Sequence, residues 1–95
     1  MLSQKRKRGS LKVGDLIEII PSKKNPAYIM KLDSSKAIGG IYVPTSILGV
    51  YLGCDLIDLS VDWVECQVFL YQGVRHALIN GTLKKYREKL TLPNT

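Results

Sequence analysis

A chain of 95 residues, 45% hydrophobic and 23% charged, describes one small globular domain; it leaves no room for a second core and is too apolar to be disordered throughout. No apolar run approaches the ~20 residues that a membrane-spanning helix requires. The basic opening MLSQKRKR is followed by Lys12 and Asp15 instead of an apolar core, so a secretory signal is not expected and intracellular synthesis is.

The net charge of +6 is unevenly spread. Residues 1–36 hold nine basic and three acidic side chains, residues 37–83 set Arg75 against Asp55, Asp58, Asp62 and Glu65, and residues 84–95 set Lys84, Lys85, Arg87 and Lys89 against Glu88. Basic ends around an acidic middle point to an acidic polymer or an acidic neighbouring surface as partner.

In chain order, residues 1–10 form a basic arm whose four consecutive cations, Lys5, Arg6, Lys7 and Arg8, repel one another. Two readings stay open for it: a solvated tail, or an arm that lies on nucleic acid or on an acidic protein surface. LKVGDLIEII (11–20) reads as the first strand, with Val13, Ile17 and Ile19 on one face, a bulge or tight turn at Gly14-Asp15, and Pro21 as its stop. Residues 21–46 are dense in turn signals: Pro21, Asn25-Pro26, Asp33-Ser34-Ser35, Gly39-Gly40 and Pro44. The apolar pieces 27–32 and 41–43 between them read as an inserted hairpin, with an irregular partner-binding excursion as the alternative.

ILGVYLGCDLIDL (47–59) is the next strand, in which Gly49 and Gly53 suit sharp coiling or a close backbone approach. WVECQVFLYQGVRHALINGTLKKY (63–86) then reads as strand, tight turn at Gln72-Gly73, strand, turn at Asn80-Gly81, and a basic strand or tail. REKLTLPNT is a short strand or turn, with 93–95 as a tail behind Pro93. The domain proper spans 11–92.

No constellation carries catalytic chemistry, and no cofactor or small-molecule substrate is expected. Cys54 and Cys66 are the only thiols; they read as two buried, reduced cysteines, or as a disulfide if both face the interior of neighbouring strands. Together with His76 they fall short of the four ligands of a structural zinc site. A Cys66–His76 nucleophile pair lacks an orienting group. Asp55, Asp58, Asp62 and Glu65 lack the ligand order and central glycine of a calcium loop; they read as a solvated acidic loop, or as a dock for another subunit's basic arm. Neither Gly39-Gly40 nor Gly9-Ser10 is followed by the Gly-Lys-Ser/Thr of a phosphate loop.

KVGDLIEII followed by ILGVYLG resembles the opening of KOW-type and other SH3-like barrels, where a Gly-Asp enters the first strand and a Gly-Val pair opens the second. WVECQVFLYQGVRHALINGTLKKY resembles their second half: strand, glycine turn, strand, short helical turn, and a last strand with Leu and basic residues. The resemblance covers roughly two-thirds of the chain and implies an all-β fold, a small SH3-like barrel of about five strands with an inserted hairpin. Small barrels of this layout occur in tailed bacteriophages, as virion components among others, so the resemblance implies a non-enzymatic structural or interaction subunit, virion-located if phage-encoded. Its partners would be other protein subunits, in an oligomer or larger assembly, met through the arm and the inserted loop, with Asp55, Asp58, Asp62, Tyr42 and His76 as docking candidates. The alternative is a KOW-like nucleic-acid module. Lys5, Arg6, Lys7, Arg8, Lys84, Lys85, Arg87 and Lys89 would then meet phosphates, and Tyr86 would stack on a base.

Overall fold

The computed structural model describes residues 11–87. Seven strands follow in order: β1 (Leu16–Ile20), β2 (Ala27–Asp33), β3 (Lys36–Val43), β4 (Ile47–Asp58), β5 (Trp63–Tyr71), β6 (Val74–Asn80) and β7 (Thr82–Lys85). They form one sheet in the order β3-β2-β6-β5-β4-β1-β7, antiparallel except for a single parallel bridge, Lys36 to Asp58, which joins β3 back to β4. Strands β2 to β6 thereby close a five-membered ring, with β1 and β7 flanking it beyond β4. This is the expected all-β, small-barrel architecture. No helix is long and apolar enough to cross a membrane among the described residues.

The turns obey local chemistry. Gln72 and Gly73 both take positive φ (54° and 77°), the left-handed pair that a two-residue hairpin between right-twisted strands requires. Gly14 (φ 99°) makes the tight approach to β1, where its amide donates to the Tyr51 carbonyl and the Tyr51 amide donates to the Asp15 carbonyl. The short helical turn implied before the last strand does not form: Gly81 alone, at φ 128°, carries the chain from β6 into β7.

The hairpin expected within residues 21–46 is β2–β3, and its first strand enters the ring between β3 and β6. Ala27, Ile29 and Leu32 of β2 are all buried, so this segment builds core as well as loop.

Two clusters form that core. Leu32, Ile57, Cys66, Val68 and Ala77, with Ala37, Leu52 and Leu59 against them, draw on every strand of the ring and fill it. Ile17, Ile19, Ala27, Ile29, Val43, Tyr51 and Phe69 pack on the other face, beneath β1 and β7, with Leu78 and Leu83 at their margin. Successive strand residues point to opposite faces, so the adjacent Val68 and Phe69 serve one cluster each. This is why β5 reads as a continuous apolar run.

Strand β4 reaches both clusters because it is bent. Its pairing with β5 runs Val50 to Leu70 and Tyr51 to Phe69, then slips by one residue so that Gly53 meets Val68 and Cys54 meets Gln67. Gly53, at φ 101°, supplies the bulge conformation. A slip of one residue reverses the facing of everything beyond it.

The cysteine expectation is corrected by that slip. In the unshifted register Cys54 would lie opposite Cys66; in the observed one Gln67 and Asp55 take those places. Cys54 is exposed and Cys66 buried, both as free thiols on opposite faces of the hairpin. Burial, and secondarily Cys54, push the Cys66 thiol pKa up, which makes it a poor nucleophile.

Candidate interaction surfaces

The candidates Lys5, Arg6, Lys7, Arg8 and Lys89 lie outside the described residues. Lys84 to Arg87 lie at the end of the sheet, where strand alternation divides them. Lys84 stands across from Glu18, whereas Lys85 points to the opposite face and sets its Nζ 3.9 Å from Asp15 Oδ2. The Tyr86 amide donates to the Leu16 carbonyl, continuing the ladder, and Tyr86 is half-buried. The four residues therefore do not form a one-sided cationic stripe, and Lys85 stands beside a carboxylate.

The acidic candidates share the distal end of the β4–β5 hairpin, where each has a local task. Asp55 Oδ1 accepts from the Leu56 amide, Asp58 Oδ1 from the Ser60 amide and Asp62 Oδ1 from the Trp63 amide, at 2.9, 2.8 and 2.9 Å. Asp-type side chains satisfy such backbone donors where the ladder does not reach. Between them stand apolar side chains in solvent: Leu56, Val61, Trp63 and Val64, of which Val61 is 91% exposed. Sequence reading assigned no surface role to these four. The signal was present, since acidic and apolar residues interleave from Asp55 to Glu65.

Arg75 was also missed as a site residue. From β6 its Nη1 donates to the Ser34 carbonyl in the β2–β3 turn at 2.6 Å, and its Nη2 stands 3.7 Å from Asp55 Oδ2 on β4. One guanidinium thus ties three members of the ring together. Both side chains remain partly in water, so the ion pair itself is worth at most about 1 kcal/mol.

Tyr42 is 70% exposed on β3, its ring 4.6 Å from that of Tyr28 on β2. Glycine at position 40 makes the room: a methyl there would overlap the Tyr28 hydroxyl. Ile38 and Ile41 on the same strand are also about half exposed. Near the end of this hairpin, Ser22, Lys23, Lys24, Asn25, Pro26 and Pro44 line an open cleft of about 240 Å³.

His76, expected among the docking residues, is buried at 5% exposure and is not offered to a partner. The reason is register: it pairs with Phe69, whose ring lies 6.0 Å away, and Tyr71 covers it edge-on at 5.5 Å. Its Nδ1 is 2.9 Å from the Val74 carbonyl, so the neutral ring carries its proton on Nδ1 and donates it there. Burial lowers the His76 pKa below the ordinary 6.5; the Val74 carbonyl opposes this fall and Lys31 adds to it.

A histidine whose folded pKa is depressed stays neutral in the fold while the unfolded chain takes up a proton. Its contribution to stability is therefore full above the unfolded pKa near 6.5 and is lost as pH falls through that value toward the folded one. The melting temperature is expected to drop on acidification from about pH 7.5 to about pH 5.5, and to drop less in His76→Gln. Equal slopes for the two proteins in thermal melts would remove His76 as the cause.

Among the described residues, no group of three or more His, Cys, Asp or Glu side chains could hold a metal ion. No known protein family, curated protein or solved structure matches this chain.

Proposed function

We propose that this chain is a non-enzymatic interaction subunit that works within a larger protein assembly. The observation that carries the reading is the amount of apolar side chain left in water. A first group lies on β3, where Ile41 and Tyr42 take opposite faces beside Ile38. A second lies on the β4–β5 hairpin, where Leu56 and Trp63 share one face, Val61 stands in the turn and Val64 lies on the other face. All are at least 40% exposed. Scattered exposed apolar residues are ordinary on a soluble domain, whereas grouped ones rimmed by charge mark surfaces that meet other proteins. The second group is rimmed by Asp55, Asp58, Asp62 and Glu65, which suits a basic partner segment. The sequence of residues 1–10, with Lys5, Arg6, Lys7 and Arg8, has that chemistry, and in this reading a neighbouring copy supplies it.

A bacteriophage virion, with the chain as a minor capsid, decoration or connector-type subunit, is the setting this proposal adopts. It rests on the likeness of KVGDLIEII, ILGVYLG and the 63–86 segment to small phage barrels, which is an argument from analogy. The nucleic-acid reading is less favoured, because Lys84 and Lys85 face opposite ways and Lys85 stands beside Asp15.

Light scattering on the pure protein at low and physiological salt, with and without a short DNA or RNA duplex, tests the reading. An oligomer that persists in salt and ignores the duplex is the expected result. A monomer that gains mass only with nucleic acid, and only at low salt, would sink the proposal, since phosphate contacts weaken steeply with ionic strength.

A further inference from the structure

We infer that the outer edge of β3 is a pairing site for the same edge of a second copy, giving a two-fold dimer through antiparallel strand addition. This rests on the assembly reading above and names one of its contacts.

Of the backbone edges that lack a strand partner among the described residues, those of β7, β5 and β3 differ in how they are guarded. Unpaired edges recruit other strands, and native proteins guard them with charges, prolines or side chains that satisfy the free amides. The outer edge of β7 is guarded by Lys84 and Lys85. Residues 63–67 of β5 lie beyond its pairing with β6, which covers Val68 to Tyr71; there Glu65 supplies charge and the Asp62 carboxylate occupies the Trp63 amide.

The β3 edge has less protection. Beyond the bridge at Lys36, the backbone of β3 pairs only with β2, and a register shift at Ile38 is followed by the regular stretch Gly39–Val43. From Ala37 to Val43 there is no charge and no proline. Ile41 and Tyr42 on this stretch are 46% and 70% exposed, and a side chain added at Gly39 would meet nothing within 4 Å.

An edge without charge has nothing with which to select a foreign strand electrostatically, yet it meets its own copy without repulsion. Antiparallel pairing about a two-fold axis near Gly40 is self-complementary, as a closed dimer requires. It sets Tyr42 and Ile41 of one copy against the Ile38–Gly39 stretch of the other. The nearest cation on β3 itself, Lys36, lies four residues from the axis. The two copies of Lys36 would then stand about 27 Å apart along the ribbon, at about 3.4 Å per residue, well beyond the screening length at physiological salt. Lys31 stands one strand inward, opposite Gly39 on β2, its two copies about 16 Å apart across the four strands and so still beyond the screening length.

The test compares the full chain with Gly39→Lys, which places a like charge on both edges where an added side chain has open space. Val61→Lys serves as control, adding the same charge at a 91% exposed position on the far hairpin. Light scattering across a concentration series is expected to give a dimer for the parent and for Val61→Lys, with the midpoint for Gly39→Lys displaced at least tenfold toward higher concentration. Amide exchange of Gly39 to Val43 in the parent should slow as concentration rises; this second reading decides the matter if Gly39→Lys fails to give a normal melt. An oligomer equally stable in Gly39→Lys, or one lost equally in Val61→Lys, overturns the β3 pairing and leaves the assembly reading standing. So does a mass increase seen only with a foreign protein on this edge. A parent that is monomeric at every concentration and gains mass only with nucleic acid overturns both.

Discussion

Phe69→Ala is expected to cost about 3–5 kcal/mol of folding free energy, the range for emptying a buried aromatic site. Phe69 is fully buried in the cluster beneath β1 and β7, and its surroundings have little freedom to collapse into the gap. On one side His76 stacks against it at 6.0 Å with an interplanar angle of 19°. On another, the Gly49 backbone approaches so closely that a methyl at position 49 would stand 2.8 Å from the Leu70 carbonyl oxygen and 3.1 Å from a Phe69 ring carbon. A small domain has a total stability of only about 5–15 kcal/mol, so a loss of this size removes most of its margin. Urea unfolding should show the midpoint falling sharply with the slope nearly unchanged. A midpoint shift equivalent to less than about 1 kcal/mol would mean that the ring is not the packing centre described.

The second large effect is expected at Gly81. This residue alone joins β6 to β7, and its φ of 128° lies where side-chain-bearing residues are rarely found. An added Cβ would also sit 2.9 Å from the Ala27 side chain and 3.4 Å from the Ile20 carbonyl oxygen. Strain in the backbone and overpacking against Ala27 each cost about 1–3 kcal/mol, so Gly81→Ala should lose about 2–6 kcal/mol. The damage should be local at first, because β7 is held to the sheet only through β1. Amide exchange should show the β1–β7 ladder, from Ile17–Lys85 to Ile20–Thr82, losing protection before the β4–β5 ladder does. Gly73→Ala makes a useful comparison. It too has positive φ, but nothing lies within 4 Å of an added Cβ, so its cost should be the smaller of the two. Equal losses at the two positions would contradict the role given to the Ala27 contact.

Much of the strand order was legible because the signals are local. Pro21 closes β1, Gln72-Gly73 and Gly81 turn the chain at β5–β6 and β6–β7, and the alternation of Ile17 and Ile19 with Glu18 marks a half-buried strand. Gly49 and Gly53 were readable as sites of close approach and coiling, and each performs one of those tasks. The candidate surfaces were less legible. Lys84, Lys85, Tyr86 and Arg87 look like one basic stripe in the sequence, yet a two-residue period divides such a run between faces. His76 looks like a surface residue until its register opposite Phe69 is known.

By itself the sequence determined the composition of the elements: short strands with period-two alternation, glycines and prolines at the turns, and a chain too short for more than one core. Those properties depend on neighbours along the chain, through backbone sterics and side-chain spacing. Tertiary structure alone decided which residues face each other. A one-residue slip around Leu52–Gly53 separates Cys54 from Cys66. The single bridge between Lys36 and Asp58 closes the ring, yet leaves the rest of β3 open along its outer edge. Facing is a matter of register between strands distant in sequence, and one step of register exchanges inside for outside.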